Sequence, residues 1–395
     1  MQIDRTEMEA WGKRQEPKGD FPLLIAKLIF ETTPRSTFFE IPTGSAVFLE
    51  GWDGYVKCEY ATTFVPEGVS LWEYKTNGAK TQADSDYDKR TQKSEGLDKS
   101  KVTFIFVTTK TWKGKKKWVE EKQKENIWKD ICVYDAINLS NWLNTTEIAF
   151  RWFNGQLSRN YSCLTIEDFW EVWSTGPKVN GKHILLRPNV VTTGREIDSQ
   201  RLLDFLNGAP DSYLAVRGST KDEAIAFIIA TAILASEQFY LKFLSKGVVI
   251  EDLNDFRLMK KSNLNLNLIA KLEDRSELHS AVSRGHHVLL PLGPDDLFNS
   301  QNIISLPLID RDGIRQALID SGISEEESRK YSKESGRDVT ILKRLLGFEL
   351  SMSKWVVSDD INQLVPALLI GRWDEIKEGD RKVLEQLSGE SFETY

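Results

Sequence analysis

The chain has 395 residues, 40% hydrophobic and 28% charged, with a net charge of -7. That is enough apolar content for a folded protein of two or three domains, each with its own core. The longest apolar stretch, Ala224 to Leu234, falls far short of the roughly 20 residues a membrane-spanning helix needs, and Met1 to Asp20 is polar and mixed in charge, so neither a membrane anchor nor a signal peptide is expected.

Helical periodicity runs from Phe21 to Phe30 and breaks at Pro34. Short extended pieces follow at Thr37 to Ile41, Ala46 to Glu50, Tyr55 to Thr63 and Val69 to Thr76, punctuated by Gly and Pro. The polar stretch Gln82 to Thr91 reads as a helix, and the continuous apolar run Val102 to Thr108 as a central buried strand. A helix over Trp118 to Trp128, a strand over Ile131 to Asp135 and a helix over Ala136 to Leu143 close a mixed α/β unit spanning 1–155. Residues 156–183 read as a connector.

A second α/β unit, 184–310, opens with extended pieces at Ile184 to Leu186 and Val190-Val191. It continues with a strand at Tyr213 to Val216, a turn, and an apolar helix from Glu223 to Ala235. Further strands are expected at Val248 to Glu251, Leu266 to Ala270 and His287 to Pro291. Such alternation implies a parallel sheet with helices on its faces. From 311 to 395 the pattern is helical, with segments at 311–321, 324–334, 337–347, 360–370 and 378–388.

Cys58, Cys132 and Cys163 are odd in number and form no Cys-x-x-Cys pair, which argues against a disulfide framework or a zinc site and fits reduced thiols in a cytoplasm. His286 and His287 are adjacent, so their rings diverge; a shared metal is not expected, and a surface or loop pair is the simpler reading.

The chemistry concentrates in the first unit. Val69 and Leu71 can anchor a strand in a core while Glu73 and Lys75, on the same face, leave its end side by side. With the Gly-flanked Asp53 on a neighbouring strand, they give two carboxylates and a lysine, a set able to hold a divalent cation and attack a phosphodiester. Mg²⁺ or Mn²⁺ suits hard oxygen ligands that leave several waters in place, so Asp53 and Glu73 with a backbone carbonyl beside Tyr74 would suffice, and Glu40 on the preceding strand is a candidate fourth residue. Lys75 would orient or activate a water, or balance charge on the leaving phosphate. Acid-x-Lys by itself carries little information, since it recurs at Glu16, Glu120, Glu375 and Asp380; a surface ion-pair ladder is the competing reading. Context separates the Glu73 triplet. Between Lys75 and Lys124 there are 14 Lys plus Arg against 7 Asp plus Glu, so 14 - 7 = +7, in a chain of net charge -7. Such a local basic face suits a phosphate backbone, and Lys115, Lys116 and Lys117 form its densest part.

Beyond these residues, the pattern Gly51-Trp52-Asp53-Gly54, Pro66-x-Gly68-x-Ser70-x-Trp72-Glu73, Asp86-Tyr87-x-Lys89-Arg90, Phe104-x-Phe106-Val107-Thr108 and Trp112 resembles a restriction-endonuclease-like, PD-(D/E)xK domain. It is similar to the double-stranded DNA endonuclease effectors at the N-terminus of bacterial anti-phage proteins, including antiviral STAND NTPases. The resemblance implies metal binding by Asp53 and Glu73, catalysis by these two with Lys75, and a polar helix beside the site that brings Lys89 and Arg90 to DNA.

In the second unit, strand, Gly-containing turn and apolar helix repeat the layout of a nucleotide-binding P-loop. Gly218-Ser219-Thr220-Lys221-Asp222-Glu223 nevertheless lacks the second glycine and the Lys-Ser/Thr pair that cradle phosphates. Asp222 and Glu223 would themselves complement the helix dipole, and Thr220 to Glu223 has capping-box spacing, so ATP binding there is not expected. The unit still resembles a degenerate STAND module, and Ser335 to Arg344 with Pro366 to Trp373 resembles its helical lid and winged-helix region. The leading expectation is therefore a cytoplasmic, Mg²⁺-dependent endonuclease acting on double-stranded DNA in anti-phage defence. It would be switched on by homo-oligomerisation through its second domain, with a phage protein or a further sensor domain as trigger and no membrane partner. The alternative is a non-catalytic nucleotide-sensing or scaffold protein that keeps a nuclease-like domain for binding DNA or protein; measurable ATP binding lost on replacing Lys221 would favour activity in the second unit.

Overall fold

A computed structural model of the chain describes residues 2–14, 17–40, 52–76, 78–92, 96–159, 163–179, 181–298 and 302–348. The strand expected at Ala46 to Glu50, the helices at 360–370 and 378–388 and the Pro366 to Trp373 motif lie outside the described residues. Met1–Leu346 forms one compact unit containing two large sheets.

The first half runs α1 (Arg5–Gly12), α2 (Pro17–Thr32), β1 (Phe38–Glu40), β2 (Gly54–Cys58), β3 (Gly68–Lys75), α3 (Lys80–Gln92), β4 (Val102–Thr108), α4 (Lys115–Gln123), β5 (Asp130–Tyr134), α5 (Ala136–Leu143) and α6 (Ile148–Gln156). The strands lie side by side in chain order, with β1, β2 and β3 antiparallel and β3, β4 and β5 parallel. β4 is buried along its whole length because both faces of the sheet are covered. Its alternate side chains feed different cores: Ile105 and Val107 pack with α2, α5 and α6, whereas Phe104 and Phe106 pack with Tyr87, Trp112, Trp118 and Trp128. Each such fully buried side chain contributes about 1.5–3 kcal/mol. The helix expected to begin at Trp118 begins instead at Lys115 and ends at Gln123.

The second half runs β6 (Leu164–Thr165), α7 (Ile166–Ser174), β7 (Thr175–Val179), β8 (Lys182–Leu185), α8 (Asn189–Thr192), α9 (Glu196–Asn207), β9 (Tyr213–Arg217), α10 (Lys221–Leu234), α11 (Glu237–Lys246), β10 (Gly247–Ile250), α12 (Leu253–Met259), β11 (Asn267–Ala270), α13 (Leu278–Val282), β12 (His287–Leu292), β13 (Ile303–Ser305), α14 (Arg311–Asp320), α15 (Glu325–Glu334) and α16 (Val339–Leu345). The sheet order is β13-β9-β12-β11-β10-β6, parallel except for β6. β6 and α7 arise in the stretch read as a connector, and Val190-Val191, expected to be extended, forms the short helix α8. α10 is buried on every side from Glu223 to Ala232, consistent with its uninterrupted apolar composition. The protein is thus a mixed α/β chain. Among the described residues, no helix is long and apolar enough to cross a membrane.

His286 and His287 diverge as expected, but both are fully buried. Nδ1 of His286 accepts from the Leu266 amide at 3.2 Å, and Nε2 of His287 lies 3.1 Å from the Gly208 carbonyl. The surface reading overlooked that a residue just before a strand and the strand's first residue can each find a backbone partner inside a core.

Candidate active site

Strand alternation along β3 sends Trp72 and Tyr74 toward the α2–α5–α6 core and Leu71 and Glu73 toward α3. Asp53 immediately precedes β2, whose first residue, Gly54, pairs with Trp72; Asp53 therefore meets the strand end where Glu73 and Lys75 emerge. Gly54 is required there, because a Cβ would lie 2.3 Å from the Tyr74 hydroxyl and 3.0 Å from the Phe39 ring. The Tyr74 amide donates to Asp53 Oδ2 at 2.8 Å, fixing the carboxylate against the strand.

Three carboxylates surround one ammonium. Lys75 Nζ lies 3.4 Å from Asp53 Oδ2, 3.7 Å from Glu73 Oε2 and 3.3 Å from Asp86 Oδ2. Arg90 Nε donates to Glu73 Oε1 at 2.5 Å, and its guanidinium stacks 4.7 Å from the Trp52 ring centroid. Glu73 is 1% exposed and Arg90 4%, whereas Lys75 and Asp53 reach solvent. Burial, followed by the charge of Asp53, pushes the Glu73 carboxyl up to about 8, against the opposing pull of Arg90. For Lys75, burial works downward, but Asp53, Asp86 and Glu73 outweigh it and hold the ammonium above its ordinary value. Lys75 therefore acts as a cation in this arrangement.

The donor chemistry fits a hard divalent cation. Asp53, Glu73 and Asp86 bring three carboxylates against the two cations Lys75 and Arg90, with Asp86 Oδ2 held by the Lys75 ammonium. Among the described residues, no three His, Cys, Asp or Glu side chains form a preassembled metal cage; here the carboxylates converge through Lys75. Asp53 and Glu73, which both approach the Lys75 ammonium, are the acids that would hold such an ion.

Asp53, Glu73 and Lys75 thus come together, while the other expected residues disperse. Glu40 pairs with Tyr55 across β1 and β2, and no hydrogen bond or ion pair joins it to the described residues of the cluster. Lys89 is exposed on α3, but Arg90, expected to face DNA, is buried against Glu73 and Trp52. Lys115 is also withdrawn from the basic face: its ammonium meets Asp135 Oδ1 at 2.6 Å and also bonds Asn138, tying α4 to the start of α5. Lys116 and Lys117 remain exposed, Lys117 with Glu121 at 3.8 Å. Asp86 is the cluster member that sequence reasoning missed. The signal was the helical spacing of Ala83, Asp86, Tyr87 and Arg90, which shares one face of α3.

At the turn between β9 and α10, Thr220 caps α10 by accepting from the Glu223 amide at 3.0 Å. The Glu223 side chain does not complete the expected capping box on Thr220; it accepts from the Ser219 amide at 2.8 Å and from the Arg195 guanidinium at 2.8 Å. A carboxylate of the chain itself thus occupies a donor that a phosphate would need. Lys221 turns away to Glu273 at 2.8 Å and Asp296 at 3.6 Å.

No protein-family model matches the chain, and no curated protein matches it.

Proposed function

We propose that this chain is a metal-dependent DNA endonuclease of restriction-endonuclease-like, PD-(D/E)xK type, built as an anti-phage effector and activated by oligomerisation through a degenerate P-loop-like second domain. The observation that carries this reading is the convergence of Asp53, Glu73 and Lys75 at the end of β3, with one more carboxylate than cation around them. When bound, Mg²⁺ or Mn²⁺ supplies Lewis acidity toward a phosphodiester. Asp53, oriented by the Tyr74 amide, and Glu73, oriented by Arg90, hold the ion. Lys75, reaching solvent as an ammonium, meets a phosphate oxygen and positions the attacking water. Exposed Lys89, Lys116 and Lys117 offer the backbone of double-stranded DNA a basic approach. Two such sites brought together by oligomerisation would cut both strands.

One observation favours the alternative, a nuclease-like domain kept for binding DNA or protein: Lys75 and Arg90 already neutralise much of the acidic cluster. Crystals soaked in Mn²⁺ separate the two readings. An anomalous peak between Asp53 and Glu73, absent from Glu73→Gln crystals, is expected for the nuclease; no ordered peak there would favour the binding protein.

A further inference from the structure

A cavity of about 250 Å³ opens away from the acidic cluster, where the end of α2 and the turn after it meet α9, α11 and β11. Its lining includes the aromatic rings of Phe30, Phe239 and Phe243 together with Arg35, Lys242 and Lys246, the Lys242 ammonium lying 5.7 Å from the Phe30 ring centroid. Among the described residues, no carboxylate lies within ion-pairing distance of any of these three cations. Backbone carbonyls and an amide hold them instead. Arg35 donates to the Leu206 carbonyl at 3.1 Å and to Asn267 Oδ1 at 3.2 Å; Lys242 donates to the Arg35 carbonyl at 3.0 Å; Lys246 donates to the Glu31 and Thr33 carbonyls at 3.4 Å each.

The nearest acid is already committed. The Glu31 carboxylate accepts from the amides of Glu147, Ile148 and Ala149 at 2.6, 2.8 and 2.8 Å, capping α6. The positive charge is accordingly only partly compensated: burial, then the Arg35 charge, push the Lys246 ammonium down to about 8 against the opposing pull of Glu31, and burial alone lowers Lys242 and Arg35. Helix capping explains Lys246 in part, since its carbonyl partners lie at the end of α2. It explains neither Arg35 nor Lys242, nor why three buried or half-buried cations share one aromatic cavity. Buried charge without a partner is costly, and an anionic ligand relieves it.

We propose that this cavity binds a small phosphate-bearing molecule, its phosphate met by Arg35, Lys242 and Lys246 and its ring portion packed on Phe30, Phe239 and Phe243. A phosphomonoester carries nearly two negative charges and three acceptor oxygens, which suits three converging donors better than a single carboxylate does. The site is independent of the nuclease reading and separate from the turn at Gly218. Because its walls come from elements flanking both sheets, an occupant would bridge them.

The test is calorimetric titration of the full chain with each of the four ribonucleoside monophosphates, with the unphosphorylated nucleosides and with inorganic phosphate. At least one monophosphate is expected to bind at micromolar concentration, its nucleoside not at all, and inorganic phosphate at least tenfold more weakly. Lys242→Ala and, separately, Lys246→Met should each weaken binding about tenfold or more, the loss of one charge-assisted hydrogen bond. Failure of every monophosphate to bind below millimolar concentration overturns the proposal, as does unchanged binding in either folded variant. Equal affinity for inorganic phosphate overturns the role of the aromatic rings.

Discussion

Replacing Glu73 with Gln removes a charge from a position where the fold resists it. Glu73 is 1% exposed, and its carboxyl holds its proton up to about 8, whereas in the unfolded chain it would ionise near 4.5. The raised value means that its contribution to stability is fully present below pH 4.5 and is lost as pH rises through about 8. At about 1.4 kcal/mol per pH unit, the interval from 4.5 to about 8 corresponds to at most roughly 5 kcal/mol. Relaxation of the site around the charge and its contact with Arg90 bring the expected change to about 2–3 kcal/mol. Glu73→Gln keeps the shape and an acceptor for Arg90 but cannot titrate. Urea unfolding of wild type and variant at pH 5 and pH 8 isolates the effect, because all other titrating groups are common to both. The variant should gain about 2–3 kcal/mol relative to wild type between the two pH values, while losing any DNA cleavage. A stability difference that is the same at both pH values would refute the argument that Glu73 is held protonated by its surroundings.

The remaining predictions concern the cluster's ligand and the second sheet. Titrating Mg²⁺ or Mn²⁺ at pH 7 in buffers of different ionisation enthalpy should show release of about one proton per ion, since Glu73 must deprotonate to ligate; no release would place the ion elsewhere. Glu223→Ala should destabilise by about 3–5 kcal/mol in urea unfolding, because it strands the Arg195 guanidinium, 3% exposed, without its partner; a loss under 1 kcal/mol would mean that the pair is not buried as described. Lys115→Ala should lower stability by about 1–3 kcal/mol through loss of its contacts with Asp135 and Asn138, whereas Lys116→Ala should be neutral in stability and weaken DNA binding.

What the sequence disclosed follows from the range of the forces involved. β4 was legible to the residue because a strand covered on both faces must be apolar throughout. The pairing of Glu73 with Lys75 was legible because alternation along a strand is local. Arg90 was misplaced because the charge of a residue suggests solvent, while its position on α3, in line with Ala83 and Tyr87, commits it to the interior. Glu73 supplies the acceptor that makes such burial tolerable, and that partner comes from a different element. Lys115 misled for the same reason, its partners standing on the far side of β5. Arg35, Lys242 and Lys246 could not be grouped from sequence, because roughly two hundred residues separate the first from the others; only the i,i+4 spacing of the two lysines on α11 hinted at a shared face.

The central claim is that Asp53, Glu73 and Lys75 form a phosphodiesterase centre, and supercoiled plasmid incubated with the oligomeric protein addresses it most directly. Wild type with Mg²⁺ or Mn²⁺ should convert the plasmid to linear product, EDTA should stop it, and Lys75→Ala, whose side chain is 33% exposed, should remain folded and leave the plasmid intact. Cleavage by Lys75→Ala at the wild-type rate, or intact plasmid with the assembled wild-type protein across divalent metals, would contradict the claim.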